Sequence, residues 1–450
     1  MSGALSGVDI TILTLVFTVG IIAAIMSGYP IMFTLGALGI LMGYLTIGSA
    51  VGDLMYNRGF KFILGYPLLA MPLFVYMGYM LAESGITDSL YQAIAVVTGS
   101  FRGGLAIGTV LFGTVLAACL GVITASTSML TVLALGPMLR RGYNRSLACG
   151  AICAAGCLGI IIPPSIMFVI LGPLAEVSVG KLFMGAFGPG LMLSALYCLY
   201  IALRSWLQPS IAPAIPLEER MISTARKIRM LATSMLPPVI LILSVLGVIF
   251  MGIAPPTEAA ASGCIAATGL ALVYRKFSFT MFKKCLLETG RVVSFSLGIG
   301  FFAVGMAAVF IRLGCGGVIG DWILAVPGRW GSFGAIMFAL FILGMLMGWL
   351  PILFIMIPIV MPILPALGFD KVWFIMMMAI NLNMAFMTPP MALAIFVLKG
   401  TADSSFKITT GEIIRGVIPF IIIIMIGLVL MIIFPQIILW LPNHMVRAGW

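Results

Sequence analysis

Runs of about 20 apolar residues, separated by short polar links, recur along almost the whole chain, and each is long enough to cross the roughly 30 Å hydrocarbon core of a bilayer as a helix. The pattern predicts spans at about residues 9–28, 31–50, 63–82, 146–172, 180–204, 233–252, 258–274, 292–312, 372–398 and 413–440. The run from residue 11 leads into a second span rather than a cleavage site. It therefore reads as a retained first helix, not a signal peptide.

Two stretches break this rhythm. Residues 103–139 are flanked by Arg102 at one end and Arg140 and Arg141 at the other, which places both ends on the cytoplasmic side. A polar run in the middle, Thr124-Ala125-Ser126-Thr127-Ser128, reads as a turn. Two full crossings need about 40 apolar residues plus a turn, so a re-entrant helical hairpin fits better. Residues 331–367 repeat the length and are broken at Gly348-Trp349-Leu350-Pro351, with much less positive flanks. This second hairpin is expected to open outward.

Each hairpin leads into an apolar run interrupted by a proline pair, Pro163-Pro164 after the first and Pro389-Pro390 after the second. Thr124 lies 39 residues before Pro163, and Gly348 lies 41 before Pro389. Consecutive prolines remove hydrogen-bond donors and clash with the preceding turn, so both helices should unwind there. Short amphipathic stretches at 84–100 and 315–328 precede the two hairpins. The expected fold is an all-α polytopic membrane protein built as an inverted repeat, with two re-entrant hairpins and two proline-broken helices. Matching interruptions in two halves are the sequence sign of a binding site at mid-membrane, where freed carbonyls suit sodium and helix N-termini suit an anion.

Composition agrees with that picture: 450 residues are 62% hydrophobic and only 8% charged, which no soluble domain matches. The 24 Lys and Arg against 13 Asp and Glu concentrate in short loops, such as Arg140, Arg141 and Arg145, or Arg226, Lys227 and Arg229. That excess orients a membrane protein and gives no reason to expect nucleic acid. With the loops at 140–145 and 204–229 inside, both chain ends fall outside. Arg58 and Lys61 then lie on the outer side, against the trend. The eight cysteines form no CxxC pair, and the single histidine, His444, follows the last span, which excludes a zinc site or a disulfide framework. Cys149, Cys153 and Cys157 share one helical face among small residues and read as packing. No HExxH, GxSG or GxGD occurs, so the chain is not expected to be an enzyme.

Motifs along the chain then narrow the reading. LFVYMGYMLAESGI from 73, PMLRRGY at 137, LGIIIPPSI at 158, GPGLML at 188, APPTEAAA at 254, NLNMAFMTPPMALAIFVLKG at 381, RGVIPF at 415 and FPQIILWLP at 434 occur in this order. Together they resemble the large membrane subunit of tripartite ATP-independent periplasmic (TRAP) transporters, the DctM-like family. The resemblance implies a sodium-driven elevator transporter of the bacterial inner membrane, taking up a carboxylate or related organic acid. It also implies two partners, a small four-helix DctQ-like membrane subunit and a periplasmic DctP-like binding protein. A sodium-coupled carboxylate transporter of the divalent-anion type, which has similar hairpins but needs no binding protein, is the alternative.

By position in the family pattern, Thr124, Ala125, Ser126, Thr127, Gly156, Gly159 and Pro163 are expected to form one sodium site. Gly348, Trp349, Thr388, Pro389 and Met391 are expected to form the other. Ser126, Ser128, Asn381, Asn383, Pro164 and Pro390 are candidates for the substrate. No organic cofactor is expected. Two departures fall in the second sodium region: many relatives carry an acid where Gly348 stands, and a glycine where this chain has Met391-Ala392. The expected organisation is a scaffold at 1–82, a transport half at 83–172, scaffold helices at 173–312, a second transport half at 313–400 and a C-terminal scaffold helix at 401–450.

Overall fold

The computed structural model describes residues 9–214 and 223–445. The described residues form helices joined by short links. Six of them are long and apolar enough to cross a membrane, or seven if the bent pair Ala50–Ile63 and Tyr66–Glu83 counts as one span. The protein is a multi-pass membrane protein.

In chain order, α1 (Ile10–Met26) and α2 (Ile31–Ile47) are followed by α3 (Ala50–Ile63) and α4 (Ala70–Glu83). Helix α3 lies between two expected spans and was not foreseen: Asp53, Asn57, Arg58 and Lys61 interrupt its hydropathy. It is amphipathic and bends by 55° into the segment that becomes α4. A short helix, α5 (Ile86–Thr98), starts from left-handed Gly85 and fills the first amphipathic stretch. The first hairpin comprises α6 (Gly104–Leu120), α7 (Ile123–Leu130) and, through a π-helical turn, α8 (Gly136–Arg140).

The turn of this hairpin lies earlier than the polar run suggests. Gly121, at φ 61, reverses the chain with Val122, and Thr124 to Ser128 already belong to α7. The reversal follows the residue that tolerates a left-handed backbone, not the polar side chains. Next come α9 (Arg145–Cys157), the break, α10 (Ile166–Ala175) and α11 (Val179–Leu207).

Across the basic link, α12 (Thr224–Ile242) continues through a π turn into α13 (Val248–Phe250), and α14 (Pro256–Val273) returns. The far end of α11 is tied elsewhere: Asn144 and Gly103 donate backbone bonds of 2.8 and 2.9 Å to the Ile211 and Ala212 carbonyls, at the bases of α9 and α6. Helix α15 (Phe279–Arg312) is 34 residues long and starts well before the expected 292, because Lys283, Lys284, Glu288 and Arg291 form polar turns of the same helix.

The succession then recurs. Helix α16 (Cys315–Leu324) starts from left-handed Gly314, α17 (Arg329–Leu346) and α18 (Trp349–Leu367) form the second helical pair, and α19 (Lys371–Ala385), a break and α20 (Leu393–Thr401) follow. The chain ends in α21 (Thr410–Ile433) and α22 (Gln436–His444), two helices where one span was expected, divided at Phe434-Pro435. Both proline pairs carry a cis peptide bond between the two prolines.

Candidate ion and solute site

Helix α7 crosses α9 at the point where α9 ends. A Cβ on Gly156 would stand 2.1 Å from Thr127 Oγ1, and one on Gly159 would stand 3.0 Å from Ser126 Oγ. Glycine at both positions lets the two hydroxyl-bearing side chains lie directly on the unwinding helix. Ser126 and Thr127 are fully buried, and neither hydroxyl has a hydrogen-bond partner. A buried hydroxyl left unpaired costs roughly 1–3 kcal/mol, so two side by side have oxygens free to serve a ligand.

Behind them Leu158–Ile160 tightens to a 3₁₀ turn, and Ser165 stabilises the restart: its hydroxyl donates to the Ile160 carbonyl at 2.7 Å and accepts from the Met167 amide at 3.3 Å. Pro163 and Pro164 are buried in this first break. Of the remaining tip residues, Ala125 is half-buried and the Thr124 side chain is exposed. Ser128 turns away from the break and accepts a 3.3 Å bond from Thr401 Oγ1, at the end of α20.

The second region is more open. Pro389, Pro390 and Met391 are exposed, and Gly348 faces empty space where a Cβ would meet nothing within 4 Å. The amide of Met391 donates to the Met345 carbonyl at 3.0 Å, which sets the break one turn from Gly348 and Trp349. Thr388 Oγ1 donates to the Met384 carbonyl at 2.8 Å, serving the helix end. Ala392 sits at φ 33, a left-handed position held by a non-glycine residue. The two asparagines divide: Asn381 Nδ2 donates to the Met337 carbonyl at 2.6 Å, whereas Asn383 is fully buried with both amide atoms unpaired.

The sequence-based candidates therefore fall into two groups. Ser126, Thr127, Gly156 and Gly159 converge; Ser128, Asn381 and Thr388 are engaged in structural bonds. Ser165 and Thr401 were not foreseen. The first follows a proline pair at a helix-capping position, a readable signal, while the second bonds a residue 273 positions away, which no local pattern encodes. Neither tip nor break carries an acidic or basic side chain. Among the described residues no group of His, Cys, Asp and Glu could hold a metal. Neutral oxygens are what remains, and hydroxyls, carbonyls and amides suit a hard monovalent cation or a hydrogen-bonding solute.

The profile of the tripartite ATP-independent periplasmic transporter DctM component matches residues 18–437. The chain belongs to this family. It is a TRAP transporter large permease, and not an enzyme. Among its relatives, the C4-dicarboxylate TRAP transporter large permease DctM of Pseudomonas aeruginosa is 32% identical over 84% of this chain and 86% of its own. The ectoine/5-hydroxyectoine TRAP transporter large permease UehC of Ruegeria pomeroyi is 30% identical over 94% and 97%. In fold, the chain is similar to the YdaH transporter of Alcanivorax borkumensis, with a TM-score of 0.62 at 16% identity over 95% of this chain and 99% of that one.

Proposed function

We propose that this DctM-family permease drives uptake of an organic acid across a bacterial inner membrane by coupling it to sodium. The observation that carries the reading is the pair of buried, unpartnered hydroxyls of Ser126 and Thr127 laid against the Gly156–Gly159 break. Sodium would take oxygens of the first tip and break, with a second ion near Gly348, Trp349, Thr388, Pro389 and Met391. The acid would lie between the breaks, within reach of Asn383. The two successions of helices are an inverted repeat, with both chain ends periplasmic. The contact between Lys284 and Glu83, at 2.7 Å, supports this orientation by neutralising an acid on the cytoplasmic side. Family membership supports a small four-helix membrane subunit and a periplasmic binding protein as partners, over a stand-alone carboxylate carrier.

Alternating access would move one body past another, as paired broken helices around one site require. Packing supports a moving body larger than the hairpins and broken helices. Helix α21 approaches α9 so closely that a Cβ on Gly150 would lie 2.1 Å from the Gly416 carbonyl oxygen. Trp373 Nε1 donates to the Met431 carbonyl at 3.1 Å, and Thr114 and Ser194 join α6 to α11 at 2.6 Å. On this reading α11 and α21 travel with the hairpins. The frame consists of α1–α4 and α12–α15, where Tyr76 bonds Thr268 at 2.9 Å across α4 and α14. Reconstitution with both partners tests the function: an inward sodium gradient should drive accumulation of the acid, and replacing sodium by potassium should abolish it. Accumulation without any sodium gradient would overturn the reading.

A further inference from the structure

No basic side chain lies at the tips or breaks, so only helix N-termini and bound sodium would face an anionic solute there. Two arginines line a cavity in another part of the molecule. A cavity of about 410 Å³ lies between the frame and the moving body, with Arg58, Ala308 and Arg312 on one wall and Leu174, Phe354 and Pro358 on the other. No acidic residue lines it. Both arginines are exposed, and within the described residues neither enters an ion pair.

The depth of Arg58 follows from the register of α3 on α15. Met55 packs on Gly305, Gly59 on Phe301 and Phe62 on Gly300, so the helices run antiparallel and Arg58 stands near the level of Phe302 to Val304. That is roughly 12–15 Å below Arg312, at 1.5 Å per residue. Arg58, and Lys61 one turn deeper, therefore stand along the apolar part of α15, where a charge is costly, and of the two Arg58 lines the cavity. The opposite wall belongs to the second hairpin: Phe354 is five residues from Trp349, about 8 Å along α18. The cavity is lined by Arg312, Arg58 and Phe354, and the second tip lies more than one helical turn beyond Phe354.

We propose that Arg58 and Arg312 form an anion-receiving vestibule, in which the carboxylate of the solute is held on its way to the second hairpin. This rests on the organic-acid reading above, and it accounts for the basic residue Arg58 that the orienting charge pattern leaves unexplained. Guanidinium groups suit a carboxylate, which they can grip through two parallel hydrogen bonds. The small side chain of Ala308 and the apolar wall leave room for a compact acid.

The test introduces Ala308→Cys and measures its modification in lipid nanodiscs by two methanethiosulfonate reagents, one carrying an ethylsulfonate and one an ethyltrimethylammonium group, read by mass spectrometry of that peptide. The anionic reagent should react faster. Adding Arg58→Gln or Arg312→Gln should lower the anionic-to-cationic rate ratio about tenfold, as loss of one nearby unscreened charge predicts, and Arg58→Lys should keep it. An unchanged ratio in both Gln variants overturns the vestibule and leaves the arginines as groups reaching the lipid headgroups. With both partners present, Arg58→Gln should raise KM for the transported acid while its sodium dependence stays as in the parent. A changed ratio with unaltered KM overturns the solute's passage. If the parent protein takes up no carboxylate from a mono- and dicarboxylate panel while the ratio still shifts, the organic-acid reading fails and the anion cavity stands.

Discussion

The space beside Gly156 is filled by Thr127: a methyl group there would come within 2.1 Å of Thr127 Oγ1 and 3.0 Å of its Cα. Because the second contact is backbone, the side chain cannot simply rotate away. Gly156→Ala should push α7 off the break at a cost of about 1–3 kcal/mol, as overpacking does. Thermal unfolding in detergent should show the loss, and uptake should fall with it. Gly159→Ala meets the Ser126 hydroxyl at 3.0 Å and nothing else closer than 3.6 Å, and should be milder.

Ser126→Ala and Thr127→Val should act on sodium more than on folding, since each deletes a buried oxygen with no protein partner. Half-maximal sodium should rise by about tenfold, the loss of one hydrogen-bond-sized interaction of about 1.4 kcal/mol. Thr388→Val should shift it less, because that hydroxyl already serves Met384. Equal shifts in the three variants would count against the first tip as an ion site. Sodium titrations of initial uptake decide.

The two asparagines should separate stability from solute binding. Asn381→Leu deletes a bond that the Met337 carbonyl accepts in addition to its helical one and should destabilise by about 0.5–1.5 kcal/mol. Asn383→Leu removes two unpaired polar atoms from a buried position, so its melting temperature should hold or rise while KM increases. A fall in melting temperature for Asn383→Leu without a change in KM would make it structural.

Ala392→Gly should stabilise by about 1 kcal/mol. Ala392 holds φ 33, where a Cβ crowds the following carbonyl, and glycine escapes that strain at some entropic cost. Denaturation midpoints of the two proteins measure it.

Motion of the larger body can be read from cross-links. Arg145 and Glu412 lie 3.5 Å apart at the starts of α9 and α21, so a short thiol cross-linker between Arg145→Cys and Glu412→Cys should leave uptake largely intact. One between Phe62→Cys and Phe354→Cys, whose rings are 5.2 Å apart across α3 and α18, should stop it. The reverse outcome would return α21 to the frame.

Much of this arrangement was legible because its signals are chemical and local. Proline pairs cannot continue a helix, and both breaks occur where Pro163-Pro164 and Pro389-Pro390 stand. Hydropathy misplaced what depends on backbone shape: it put the first turn on Thr124 to Ser128, whereas the chain reverses at Gly121. It passed over α3, whose charges look like a loop until the helix is seen lying along α15. At the site, the oxygen donors of the first tip were readable as residue types. That Thr127 is unpaired while Ser128 is taken by Thr401 depends on a neighbour brought in by the whole fold.

The bond from Thr401 to Ser128 joins the helix after the second break to the first hairpin, and at the other end of α20 Cys153 Sγ lies 3.7 Å from the Ala394 carbonyl. Helix α20, which leaves the second break, thus rests on α7 and α9, the two helices that lead up to the first. An ion that tightens α7 against α9 would alter the bed on which α20 lies. Linkage makes such an effect reciprocal: the factor by which the ion raises affinity for a solute at the second break equals the factor by which that solute raises affinity for the ion. Cooperative loading would then reside in a few contacts between the halves, with no ligand shared by the two sites.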